Sequence, residues 1–295
     1  IQARWLQSDD GERAVIEMAT ASGLSRVASA ERDAIAASSA GTGDLIRAAL
    51  DAGVRSIVLG IGGSATTDGG AGLLRSLGAI ADRDAAVADL TGLDPRLAEL
   101  AVAVACDVSN PLLGPSGAAP IYGPQKGASP RDVEDLDRRL AAFADALERA
   151  GGRRVRDEPG AGAAGGVGFA LLAIGGRFAS FGLRPGVDLV MDATDFPARL
   201  TRADLVLTGE GRIDAQTAFG KTALGVARRA QAAGVPCIAV GGGVEPEGIE
   251  ALAMVRAVAV PVTERPQSVE AAMAAGVAPL ERCAERIARL VSLPI

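Results

Sequence analysis

The 295-residue sequence contains no histidine. That absence excludes Ser-His-Asp and Cys-His nucleophilic triads, histidine-ligated zinc and imidazole acid-base catalysis. Cysteine is scarce. Cys106, Cys237 and Cys283 are odd in number, far apart and set among apolar residues, which suits reduced core thiols better than a disulfide framework or a metal site. No apolar run reaches the roughly 18 residues of a membrane span, and no charged-then-apolar signal opens the chain, so a cytoplasmic setting is expected. A net charge of −6 and a pI near 4.9 argue against nucleic acid or an anionic membrane surface as partner. A small anionic molecule needs only local positive charge.

Lysine is almost missing too. Of 30 cationic side chains only Lys126, in G-P-Q-K-G, and Lys221, in F-G-K-T, are not arginine. A compact ammonium and a planar guanidinium are poorly interchangeable where a point charge must sit on phosphate, so both lysines are candidates for function, with chance retention on the surface as the competing reading. What the composition leaves for chemistry is carboxylate, lysine, hydroxyl and backbone. That inventory suits phosphoryl transfer, in which a protein mainly positions reactants and offsets charge, with Mg²⁺ held by oxygen ligands.

The 48% apolar content can fill a substantial core. Strands and helices alternate along the chain. Strands are expected at 13–18, 55–61 and 101–106, with helices at 43–52, where Thr42 reads as the N-cap, and at 68–78. Ser129-Pro130 opens the clearest helix, which is amphipathic through Leu136, Leu140, Phe143 and Leu147 and ends at Gly151. Further on, strands at 205–208, 237–240 and 257–260 alternate with helices at 220–233, 246–254 and 278–291. Such repetition implies an α/β fold with parallel pairing. A domain boundary is placed near 196, dividing residues 1–195 from 196–295.

Four segments carry chemistry. L-G-I-G-G-S-A-T-T-D-G-G-A-G, residues 59–72, follows a strand and precedes a helix, so the Gly62, Gly63 and Ser64 backbone and the Ser64 and Thr66 hydroxyls form a candidate anion cradle, with Asp68 as a candidate catalytic carboxylate. Gly60, Gly62 and Ala65 also satisfy G-x-G-x-x-G/A, a weak signal for a dinucleotide site because no convincing second strand follows. A Gly-rich structural turn is the plain alternative. C-D-V-S-N-P-L-L-G-P-S-G-A-A-P-I-Y-G-P-Q-K-G-A-S, residues 106–129, places Asp107 just past a strand and brings in Lys126. P-G-A-G-A-A-G-G-V-G, residues 159–168, fits close helix packing or a ligand equally. In 203–222, a buried strand delivers Glu210, Arg212 and Asp214 beyond its carboxyl end, followed by Lys221. G-K-T there is not a Walker A motif, because Ala215 stands where the first glycine is needed.

In this order the four segments resemble the type I glycerate kinases, the bacterial glycerate 2-kinases. The resemblance implies ATP-dependent phosphorylation of D-glycerate with Mg²⁺. It also implies two α/β domains, one flavodoxin-like and built from both chain ends, the other inserted and likened to restriction enzymes. On that mapping 1–195 is the inserted domain and 196–295 the C-terminal part of the flavodoxin-like one. The family's opening strand and its D-S-F-K-G-S segment have no counterpart here, and the sheet is expected to be completed by them. Asp68, Glu210, Arg212, Asp214 and Lys221 are the catalytic candidates, Gly62, Gly63, Ser64, Thr66, Asp107 and Lys126 the substrate or phosphate candidates, and Asp107 with Glu210 the magnesium candidates. A nucleotide-dependent 2-hydroxy-acid oxidoreductase and a non-catalytic glycerate sensor remain as alternatives.

Overall fold

A computed structural model describes residues 1–215, 217 and 222–293. The chain forms two compact units, Ile1–Gly186 and Val187–Ile295.

In chain order the first unit has strands β1 (Leu6–Gln7), β2 (Arg13–Glu17), β3 (Ser56–Gly60), β4 (Ile80–Asp82), β5 (Val87–Asp89), β6 (Ala101–Ala105) and β7 (Ser180–Arg184). The main sheet has the order β1-β2-β3-β6-β7, with β2, β3, β6 and β7 mutually parallel and β1 antiparallel at the edge. Alternation decides which side of each strand faces inward. Ile57 and Leu59 of β3 and Val102 and Val104 of β6 are buried, and join Leu45, Ile46, Leu73 and Leu74 in one core. Because the four strands are parallel, their carboxyl ends fall at one end of the sheet. The turn after β3, Asp107 after β6 and Gly186 after β7 start from that end, where ligands collect in open parallel sheets.

The helix Pro130–Gly151 opens on Ser129 as expected, and the structure adds a capping box there. The Ser129 hydroxyl accepts from the Asp132 N–H, and the Asp132 carboxylate accepts from the Ser129 N–H. It runs through Gly151 and stops at Gly152, whose φ of 69° is the left-handed conformation a helix end favours. Leu136, Leu140, Phe143 and Leu147 are all fully buried.

Two expectations need correcting. The helix placed at 43–52 spans Ala40–Asp51, so Thr42 lies inside it, buried and donating to the Ser22 hydroxyl instead of capping. The stretch 80–89, read as acids without a strand, forms the antiparallel hairpin β4–β5 outside the main sheet. Three residues per strand are too few for a period-2 pattern to register. The hairpin also stands where a dinucleotide fold would have its second parallel strand, so G-x-G-x-x-A here lacks the partner its chemistry requires.

The second unit holds β8 (Val206–Ile213), β9 (Cys237–Val244) and β10 (Ala257–Pro261), all parallel in the order β10-β9-β8. β8 is longer than expected. Glu210 and Arg212 therefore lie within its pairing with β9 and not in a loop beyond it. Helices Thr222–Ala232 and Pro246–Ala253 pack Leu224, Ala227 and Leu252 with Val206, Cys237 and Ala257, and Ala278–Val291 covers Ile238 with Cys283 and Ile287. All three cysteines are free thiols. Truncating the central core ring of the first unit, Phe143→Ala, should cost about 3–5 kcal/mol in urea unfolding. A loss below about 1 kcal/mol would mean that the helix Pro130–Gly151 does not anchor this core.

Candidate active site

The turn after β3 is closed from inside. Asp68 is buried and accepts four hydrogen bonds: Oδ1 from the Gly70 N–H at 3.0 Å, and Oδ2 from the Ser39 N–H and hydroxyl, both at 2.8 Å, and the Gly72 N–H at 3.1 Å. The Ser39 hydroxyl in turn accepts from the Leu73 N–H. The start of the helix Ala71–Ser76 is therefore capped by the chain's own carboxylate and hydroxyl. The donors at that helix end are thus taken by Asp68, whose hydrogen bonds come from residues 39, 70 and 72.

The glycine run 159–168 packs directly against this turn. Gly69 donates to the Gly165 carbonyl at 3.0 Å and the Thr66 hydroxyl reaches the Ala164 carbonyl at 3.4 Å. Gly165 has a φ of 66°, and a Cβ there would stand 1.9 Å from the Thr66 carbonyl oxygen. Only glycine permits that approach. The third segment closes the cluster: Gly162 donates to the Asn110 carbonyl, and Asn110 Oδ1 accepts from the Tyr122 hydroxyl at 2.7 Å.

Lys126 sits at the centre, 2% exposed. Its ammonium donates to Ser64 Oγ at 3.0 Å and to the Thr66 carbonyl at 2.6 Å. Burial pushes its pKa from the ordinary 10.5 down to about 8, against the pull of the Asp68 carboxylate. It lines a cavity of about 230 Å³ with Leu24, Val27, Arg32, Ala36 and Ala65. Gly62 and Gly63 are exposed on the same turn. Of the expected residues in this unit, Ser64, Thr66, Asp68 and Lys126 are brought together. Asp107 is exposed, its Oδ1 accepting from the Gly186 N–H at 2.8 Å.

Sequence reasoning missed Arg83. Its buried guanidinium, in the β4–β5 turn, donates to the Thr67 carbonyl on one side and the Ile35 carbonyl on the other, each at 3.1 Å, and pairs with Asp84. The only cue was a basic residue between two acids in D-R-D.

In the second unit, Arg212 pairs with Glu245 and lies 3.7 Å from Asp214. Thr217, fully buried and also missed, donates to Glu210 Oε1 at 2.8 Å and accepts from the Asp214 N–H at 3.1 Å, which fixes Glu210. A cavity of about 920 Å³ opens at the carboxyl ends of the three strands, lined among others by Arg212, Gly242, Gly243, Glu245, Thr263 and Arg265. The run G-G-G at 241–243, near the end of β9, is the sequence feature that could have flagged it. Lys221 lies outside the described residues. Among the described residues no group of three or more Asp, Glu, Cys or His side chains gathers to hold a metal ion, and no helix is long and apolar enough to cross a membrane.

The lowered pKa of Lys126 has a measurable consequence. Between about pH 8 and 10.5 the unfolded chain binds the proton that the folded chain has released, so stability attributable to this residue rises with pH. In urea unfolding the wild type should gain on Lys126→Met between about pH 7.5 and about 9.5. Parallel curves would show that the ammonium is not held in a low-dielectric place.

The glycerate kinase family profile matches residues 1–292. The chain is 45% identical over 276 residues to a glycerate kinase of Bacillus subtilis, covering 86% of this chain and 71% of that protein. It is 44% identical over 309 residues to a glycerate kinase of Halalkalibacterium halodurans, covering 98% and 78%. With a glycerate 2-kinase of Escherichia coli it shares 44% identity over 256 residues, covering 82% and 66%. A crystal structure from Salmonella typhimurium LT2 matches the fold with a TM-score of 0.80 at 41% identity, over 99% of this chain and 79% of that one. The glycine-rich turns, the embedded lysine and the parallel sheets thus sit on a scaffold whose relatives agree, and the chain belongs to the glycerate kinase family.

Proposed function

We propose that this protein phosphorylates D-glycerate with ATP as donor and Mg²⁺ as the accompanying ion. The observation that carries the reading is Lys126, an ammonium embedded between Ser64 and Thr66 at the wall of a small cavity. A cation kept in a place that disfavours its charge is suited to an anionic partner. The larger cavity beside Arg212 is of nucleotide size, within the range of about 300–1,000 Å³ usual for small-molecule sites.

The residues then divide as follows. Lys126, with the Gly62, Gly63 and Ser64 backbone and the Ser64 and Thr66 hydroxyls, binds substrate, and Asp68 acts through Lys126 as a positioning residue. Arg212 and Lys221 neutralise charge on the transferring phosphoryl group. Glu210 and Asp214 are the candidates for accepting the proton of the substrate hydroxyl. Magnesium commonly arrives with the nucleotide phosphates and takes only one or two protein carboxylates. Asp107 in the first unit or Glu210 in the second, each with one oxygen held by a neighbour, would suit that task. The bound ion would supply charge stabilisation. The parallel β10-β9-β8 sheet supports reading residues 196–295 as part of a flavodoxin-like domain, with 1–195 as the inserted, restriction-enzyme-like domain. Free thiols fit a cytoplasmic setting, and a net charge of −6 disfavours nucleic acid as partner.

An ADP-release assay with D-glycerate, L-glycerate and no substrate tests the reading. ADP release dependent on D-glycerate is expected. Saturable glycerate binding without turnover would replace the kinase with a sensor, and hydride transfer to NAD would replace it with an oxidoreductase. Lys221→Ala should lower kcat/KM by roughly 10²-fold, the scale of one electrostatic stabiliser, and Lys221→Arg should restore only part. Full activity in the alanine variant would remove Lys221 from the site.

A further inference from the structure

We propose that Arg32 is a substrate-binding residue which, together with Lys126, takes up the carboxylate of the hydroxy acid inside the 230 Å³ cavity. This rests on the glycerate reading and names the part of the substrate that the cavity holds.

Arg32 Nε is buried and has no hydrogen-bond partner among the described residues. An unanswered guanidinium N–H in a protein interior is costly. Only the far end of the side chain is occupied, by a bond from Nη1 to the Gln125 carbonyl at 3.2 Å. Lys126 is in a related position. An ammonium has three hydrogens to donate, and Ser64 Oγ and the Thr66 carbonyl account for two. Both cations line the same cavity.

The backbone places them side by side. Gly127, directly after the lysine, has a φ of 95°, and a Cβ there would fall 2.4 Å from the Arg32 carbonyl oxygen and 3.1 Å from its Cβ. The close approach of these two segments therefore requires glycine at 127. Two acids also line the cavity, but neither answers the cations. The Asp33 carboxylate accepts from the Ile35 and Ala36 N–H groups, and Glu31 is exposed.

The ligand chemistry follows from the donors and the walls. Leu24, Val27, Ala36, Ala37 and Ala65 make most of the lining apolar, so the polar demand is concentrated at one N–H and one ammonium. A planar carboxylate with two oxygens matches that pair. A phosphoryl group has three oxygens to satisfy and would leave one facing alkyl carbon.

Steady-state kinetics and calorimetry on the intact protein test the assignment. Arg32→Ala and the milder Arg32→Gln should raise KM for glycerate roughly tenfold or more, the scale of one lost charged hydrogen bond, while leaving KM for the nucleotide unchanged. Arg32→Lys should recover part of the loss. In calorimetry the wild type should bind glycerate far better than glycerol, which lacks the carboxylate, and the variants should lose that preference. Unchanged glycerate KM, or a preference for glycerate over glycerol that survives in a folded variant, overturns the proposal. So does an equal rise in nucleotide KM, or weakened binding of inorganic phosphate in parallel with glycerate, either of which would make this a phosphoryl site. If the wild type fails to turn over glycerate, the kinase reading falls by itself, and the calorimetric comparison of glycerate with glycerol still decides the role of Arg32.

Discussion

Asp68 holds the first unit's functional end together. Its two oxygens collect N–H and O–H donors from residue 39, before the helix Ala40–Asp51, and from residues 70 and 72, at the start of the next helix. Two helix starts are thereby locked to one carboxylate. Everything around the turn inherits that geometry: the glycines that let residue 165 lie on residue 66, the carbonyl of Thr66 that receives Lys126, and the position of Ser64. A buried carboxylate is tolerable only when its lone pairs are filled, and here backbone and hydroxyl donors fill them. Its charge also partly offsets the desolvation of the lysine.

Much of this was legible in the chain. Ser129-Pro130 announced its helix because capping is a local affair, decided within four residues. The parallel strands showed as short apolar runs between turn residues, and the glycine segments marked places where backbones must approach closely. What escaped was non-local. Thr42 has the right side chain for an N-cap, but the position is taken by Ser39, whose hydroxyl serves a different helix across the fold. Asp68 has the type and setting of a catalytic acid, and no residue pattern shows that four donors from two elements converge on it. Arg83 and Thr217 are likewise defined by partners 16 and 7 residues away. The length of β8 depended on pairing with β9, which carries through glycines that a propensity argument treats as strand breakers.

The two units use cations in different ways. Around Arg212 the charge is open to solvent and answered by Glu245 and Asp214, an arrangement that can exchange partners when a polyanion arrives. Around Lys126 the charge is enclosed and answered by neutral oxygens. Arginine would not fit there, since its longer planar head needs more acceptors than Ser64 and Thr66 supply. A chain that otherwise uses arginine almost throughout has kept lysine at this enclosed point.

Arg83 gives the small cavity a fixed gauge. One guanidinium bridges the carbonyls of Thr67 and Ile35, on the two segments that flank the space, and the rigid fork sets the distance between them. Its charge is balanced by Asp84, which a second arginine, Arg139 on the long helix, also grips. Such a cavity cannot widen without breaking bonds to a buried cation. Its gauge is therefore set by a strut whose own side chain lies outside the lining.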